Sequence, residues 1–162
     1  MIGIISVKKK LYNNSISGEL VALKDAAELC HQQGRRGPFT GIFAFSAEND
    51  DDKKLNGQIF DQVLKVHENG RFDSMTNEIS VLGRTVVFKI RSDHSEADHA
   101  RYVGVDCTKE KHIPLQRAVN SLLSVYYDAT RGSNKERPGF VSFEKDTFKK
   151  SPRLGLVKYS SL

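Results

Sequence analysis

Tryptophan is absent from this 162-residue chain, cysteine occurs only twice and proline four times, and no apolar run is long enough to cross a bilayer as a helix. Two cysteines, Cys30 and Cys107, cannot staple a disulfide scaffold, so a reducing compartment and a core held by burial are expected. The opening MIGIISVKKK puts its lysines after a short apolar stretch, the reverse of an export signal, and a cytoplasmic protein is expected. Neither standard spacing of a phosphate-cradling glycine loop occurs, and no zinc-ligand pattern does.

What is present is an ordinary globular composition, 38% hydrophobic and 28% charged, with a formal charge of +5. A chain of this length hides roughly two thirds of its unfolded surface, enough for one core. The positive balance favours an acidic protein surface, a phosphoinositide headgroup or nucleic acid.

Hydrophobic period then divides the chain. Leu20, Leu23, Ala27 and Cys30 recur at helical spacing, which predicts a helix over 18–33 with Gly34 as its cap. TGIFAFSA predicts a buried strand near 40–47, with Phe43 and Phe45 in the core together with Phe88. Ile59, Phe60, Val63, Leu64 and His67 predict a second helix closed by Asn69-Gly70. EISVL and TVVFKI read as two strands around Gly83-Arg84, the second with one core face and one basic end, and ARYVGVDC as a further strand. Pro114 opens a final helix whose Leu115, Ala118, Val119, Leu122, Val125 and Tyr126 form an expected core stripe up to Gly132. From Ser133 the chain carries seven basic residues against three acidic ones, a tail suited to an added strand or docked arm.

The chemistry-bearing residue types do not converge. His94 and His99 share the polar loop DHSEADH with Asp93, Glu96 and Asp98, but their spacing suits a solvated loop. Cys30 and Cys107 lack the base that would activate a thiol. Asp50, Asp51 and Asp52 read as a solvated turn, and the basic residues of GRRG at 34–37 as a surface turn. No catalytic residue, cofactor or metal is therefore expected. A contact face is more promising: Arg84, Lys89, Arg91, Lys109, Lys111 and Arg117 gather around the last strands and helix, whose polar side carries Arg117, Asn120, Ser124 and Tyr127.

The order of elements, with IFDQVLKVHENG as a helix, NEISVLGRTVVFKI as a strand pair and RYVGVDCTKEKHIPLQRAVNSLLSVYY as the closing unit, resembles profilins. Roadblock and longin-type modules share much of this layout. The resemblance implies an α+β fold with a central, mainly antiparallel sheet flanked by N- and C-terminal helices. It divides the chain into an N-terminal extension (1–17), a profilin-like domain (18–132) and a basic C-terminal extension (133–162). The implied function is non-catalytic and cytoskeleton-associated: binding of an actin monomer and regulation of its polymerisation, with phosphoinositide contact through basic residues. Carried onto this sequence, the partner-binding residues are Lys89, Arg91, Lys109, Lys111, Arg117 and Asn120. Tyr126 and Tyr127 are the local candidates for contact with a proline-rich peptide. A scaffold for small GTPase complexes, as in roadblock or longin-type modules, and a basic RNA- or phosphoinositide-binding protein are the alternatives.

Overall fold

The first strand, Gly3–Lys8 (β1), is apolar but for Ser6 until it ends in lysine, and it leads through Leu11 into the helix Asn13–Leu29 (α1). The structure, a computed structural model, describes residues 3–30, 37–91, 98–130 and 153–160, with the side chains at 91 and 124–130 outside that description. Ile16, Leu20, Leu23 and Ala27 line the buried side of α1, as their spacing requires. Its start is tied down from a distance, because Glu48 accepts a hydrogen bond from the Asn13 backbone N–H at 3.2 Å.

The strand Phe39–Ala44 (β2) follows and pairs with β1 in parallel. The next helix, Asp52–His67 (α2), is capped by Asp51, whose carboxylate accepts from the backbone N–H groups of Lys53 and Lys54. Those bonds hold the Asp51 carboxyl below its usual range. Asn69, at φ 58°, turns the chain out of α2 into the short strand Gly70–Arg71 (β3) and one 3-10 turn, Phe72–Ser74. Glu78–Val81 (β4) then lies parallel to β2. Thr85–Arg91 (β5) and His99–Asp106 (β6) run antiparallel in succession, the helix Ile113–Thr130 (α3) follows, and Arg153–Ser160 (β7) pairs antiparallel with β6.

The sheet is ordered β1-β2-β4-β5-β6-β7-β3. The expected α+β class is present, but the sheet is mixed where a mainly antiparallel one was expected: three parallel pairs stand beside three antiparallel ones. The parallel half arises because α1 and α2 each carry the chain back to the same end of the sheet before the next strand begins. Residues 3–17, expected as an extension, supply the edge strand and the first turn of α1, and residues 153–160 supply β7.

Both helices cover one face. Leu20 and Leu23 of α1 and Leu55, Ile59 and Val63 of α2 form a single buried cluster with Ile42, Ile79, Val81, Val87, Ala100, Tyr102 and Val157 of the sheet. Thr85 donates to the Asn56 amide oxygen at 2.7 Å and so seats α2 on β5. The opposite face carries a smaller cluster, Val86, Phe88, Val103, Val105 and Cys107, with Ile90 and Ile113 against it. β5 thus buries both of its sides, where one core face and one basic end were expected.

Candidate functional site

α3 lies on the second face over β2 and β4, and its attachment is polar. Because side chains on a strand alternate, Glu78 and Ser80 of β4 point to this face while Ile79 and Val81 point into the main core. The buried Glu78 carboxylate accepts from Ser80 Oγ at 2.9 Å, Arg117 Nε at 3.0 Å and Ser121 Oγ at 3.0 Å. The Arg117 guanidinium also stacks over the Phe88 ring at 3.9 Å. Arg117 and Ser121 are four residues apart and share one helix face, so this face is the one turned inward, with Pro114 and Ala118 buried beside them.

Of the apolar stripe expected in the core, Ala118 is buried, Leu115, Val119 and Leu122 are turned out, and the side chains of Val125 and Tyr126 lie outside the described residues. Leu115, Val119 and Leu122, expected in the core, are 48%, 45% and 39% exposed. Phe45, also expected in the core, is 55% exposed and meets Phe43 edge to face at 5.4 Å. Phe43 has the outer strand beside it, its register partner being Val7, which is 62% exposed. At about 100° per residue, Ile113 and Arg117 lie on the flank of α3 toward β5 and β6. Leu115 and Leu122 lie toward the other flank, the side of β2 and β1, and Val119 stands further outward beside them. Among the described residues no helix lies over this face of β1, so exposed Val7 and Phe45 share the second face of the sheet with the outward apolar side of α3, and together they are an apolar shelf.

Lysines stand at one end of the shelf. The Ser46 hydroxyl donates to the Lys9 carbonyl at 3.0 Å, Phe45 N–H to Lys8 O, Leu82 N–H to Ala44 O, and Gly83 N–H to Lys111 O. This chain of bonds places exposed Lys9, Lys10, Lys109 and Lys111 at the carboxyl ends of β1, β2 and β4. Lys8 is turned to the other side, paired with Glu19 of α1 at 2.5 Å. That lysine and the Ser6 hydroxyl hold the Glu19 carboxyl below its usual range.

The residues expected to bind a partner thus separate. Lys109 and Lys111 are exposed beside the shelf, Arg117 serves the Glu78 network and Asn120 is half-buried on α3. Lys89 is turned into the main core side, where its ammonium donates to the carbonyls of Phe72 at 2.8 Å and Met75 at 3.0 Å and lies 4.2 Å from the Phe72 ring. Burial pushes its pKa down to about 7, and Asp73 offsets part of that. Arg91 ends β5 and Tyr126 and Tyr127 belong to α3, but their side chains lie outside the described residues.

Cys107, weighed as a thiol nucleophile, and His67, read as part of the α2 stripe, are both packed into the fold. Burial, with Asp106 and Glu110 nearby, pushes the Cys107 thiol up to about 12. His67 accepts the Thr76 N–H on Nε2 at 3.3 Å, and burial, reinforced by Lys89 and Lys24, pushes it down to about 3. Asp50, expected in a solvated turn, is fully exposed at 3.8 Å from Arg84, whereas Asp52 is half-buried in an ion pair with the Arg84 guanidinium. His94 and the arginines of GRRG lie outside the described residues, and among those described no three His, Cys, Asp or Glu side chains are grouped to hold a metal.

Sequence reasoning missed Val7, Phe45, Leu115, Val119 and Leu122. The available signal was the alternation in EISV, which puts a carboxylate and a hydroxyl on one side of a central strand and therefore asks for a polar helix face opposite. Comparison with known proteins finds no family model, no curated protein and no solved structure that matches this chain.

Proposed function

We propose that this chain is a non-catalytic protein-binding module whose binding face is the shelf formed by α3 and the β1–β2 margin. The observation that carries this reading is the outward apolar side of α3: five large apolar side chains on one side of the molecule are 39% to 62% exposed. Contiguous apolar surface rimmed by charge is the usual mark of an interaction site. The thiol of Cys107 and the imidazole of His67, both held neutral in packed surroundings, support a role without covalent or acid-base chemistry.

The actin monomer that the profilin-type resemblance implies is the first partner to test, with Lys109 and Lys111 as its nearest basic contacts. The assay is sedimentation and polymerisation of purified actin with the native chain and with Phe45→Glu and Val119→Glu, each checked for an unchanged melting temperature. Delayed polymerisation that both variants abolish is the expected result. Failure to affect actin removes that partner. The binding-face reading itself fails when cross-linking in cytosol, with the captured protein identified and purified, gives a partner that both variants still bind with native affinity.

A further inference from the structure

On the second face of the sheet α3 occupies the strip above β2 and β4, and beyond it lies the margin formed by β1 and the outer side of β2. Adjacent strands are about 4.8 Å apart, so the usual spacing of two packed helices, about 8–10 Å, is about two strands and carries a neighbour of α3 from the β2–β4 strip to the β1 edge. A second helix laid beside α3 at the usual interaxial distance of about 8–10 Å covers the outward Leu115, Val119 and Leu122 on one side and Val7 and Phe45 beneath. Charge constrains it further. Lys9 and Lys10 follow β1 and Lys109 and Lys111 precede α3, all at the same end of the shelf, where they outnumber the exposed Glu48 and Glu110 of the same loops.

We infer that the shelf takes an amphipathic helix of a partner protein, apolar along one stripe and acidic at the end that meets Lys9, Lys10, Lys109 and Lys111. This rests on the protein-binding reading and names the occupant. The apolar stripe supplies most of the affinity, because burial of large side chains dominates such contacts. The lysines fix the direction in which the helix lies, since reversing it removes the acidic end from the basic one. A helix whose C-terminus is at the lysine end also has its dipole favourably placed.

The probe is a labelled peptide of about 16 residues, about 24 Å as a helix. It has leucines at three- and four-residue spacing and glutamates in one terminal turn, and its twin carries lysines for those glutamates. Fluorescence anisotropy should show the glutamate peptide binding at least about tenfold more tightly than the twin, a preference that narrows as salt rises. Phe45→Glu and Val119→Glu should each weaken binding about tenfold or more, whereas Val21→Glu, on the far side of the molecule, should not. Lys109→Glu with Lys111→Glu should narrow or reverse the preference between the peptides.

Equal binding of both peptides, or of neither, overturns the inference, as does self-association in sedimentation velocity that Val119→Glu abolishes. Phosphoinositide-containing vesicles that bind through the same face while the peptides do not also overturn it. When Phe45→Glu abolishes capture of a purified native partner yet neither peptide binds, the occupant is wrong and the binding-face reading stands. When the variants alter neither, both fail.

Discussion

Glu78 is the residue on which the second face turns. Its carboxylate is buried, and three donors on β4 and α3 satisfy it. Removing a partner from such a site leaves charge without compensation, which costs more than the pair contributes. Arg117→Met takes the guanidinium from the buried Glu78 carboxylate and leaves it the Ser80 and Ser121 hydroxyls, and a loss of about 2 kcal/mol is expected, below the range for fully buried pairs because Arg117 is partly open to water. Urea unfolding of Glu78→Ala, Arg117→Met and the double variant measures the coupling. The double variant should lose less than the two single losses added together, since neither charge is then stranded. Additive losses would mean that the network does not hold α3.

At the scale of elements, the period of α3 was legible and its facing was not. Leu115, Val119 and Leu122 recur at helical spacing whether they meet the sheet or solvent, and the arbiter is a glutamate in β4, far away in sequence. The helices α1 and α2 were read with their buried sides because they meet an apolar sheet face, and β4, β5 and β6 were read from alternation. Residues 1–17 read as an extension open between an added strand and a basic arm, because a short apolar run ending in lysines is also how a frayed terminus looks, although charged ends are how edge strands avoid unwanted pairing. Facing is open to a direct test. In a core stripe, Leu115→Ser with Val119→Ser would cost several kcal/mol, whereas on an outward flank each change stays within about 0.5 kcal/mol. Thermal unfolding of the double variant should match the native chain within a few degrees, with helix content by circular dichroism unchanged. A drop of more than about 10 °C would put the stripe back in the core.

For the whole molecule, the end of α2, the 3-10 turn and strands β4 to β6 meet around two basic groups that the fold keeps from their usual protonation. His67 holds the Thr76 N–H, the Tyr102 hydroxyl donates to the Thr76 carbonyl at 2.7 Å, and Lys89 closes the turn onto β5 through the Phe72 and Met75 carbonyls. Asn69 N–H donates to Lys158 O, so the same junction joins β7 to the end of α2. The folded pKa of His67 is about 3 against an ordinary 6.5, and that of Lys89 about 7 against 10.5. In both cases the unfolded chain binds a proton that the folded one refuses, so stability rises with pH across each interval: from about 3 to 6.5 through His67, and from about 7 to 10.5 through Lys89. The depressed carboxyls of Glu19, Asp51 and Asp106 add a loss of stability on acidification, confined to the carboxylate range near pH 4 and below. The positive net charge weakens as pH rises and also favours the folded state at the alkaline end, so the native profile alone does not isolate Lys89. The comparison that does is between variants. His67→Gln keeps an acceptor for Thr76 N–H and should flatten the melting-temperature profile between about pH 5 and 6.5, above the carboxylate range. Lys89→Met should flatten it between about pH 7 and 10 and leave the acid limb unchanged. A Lys89→Met profile parallel to the native one between about pH 7 and 9 would show that the buried ammonium keeps its proton and that its two carbonyl bonds outweigh its burial.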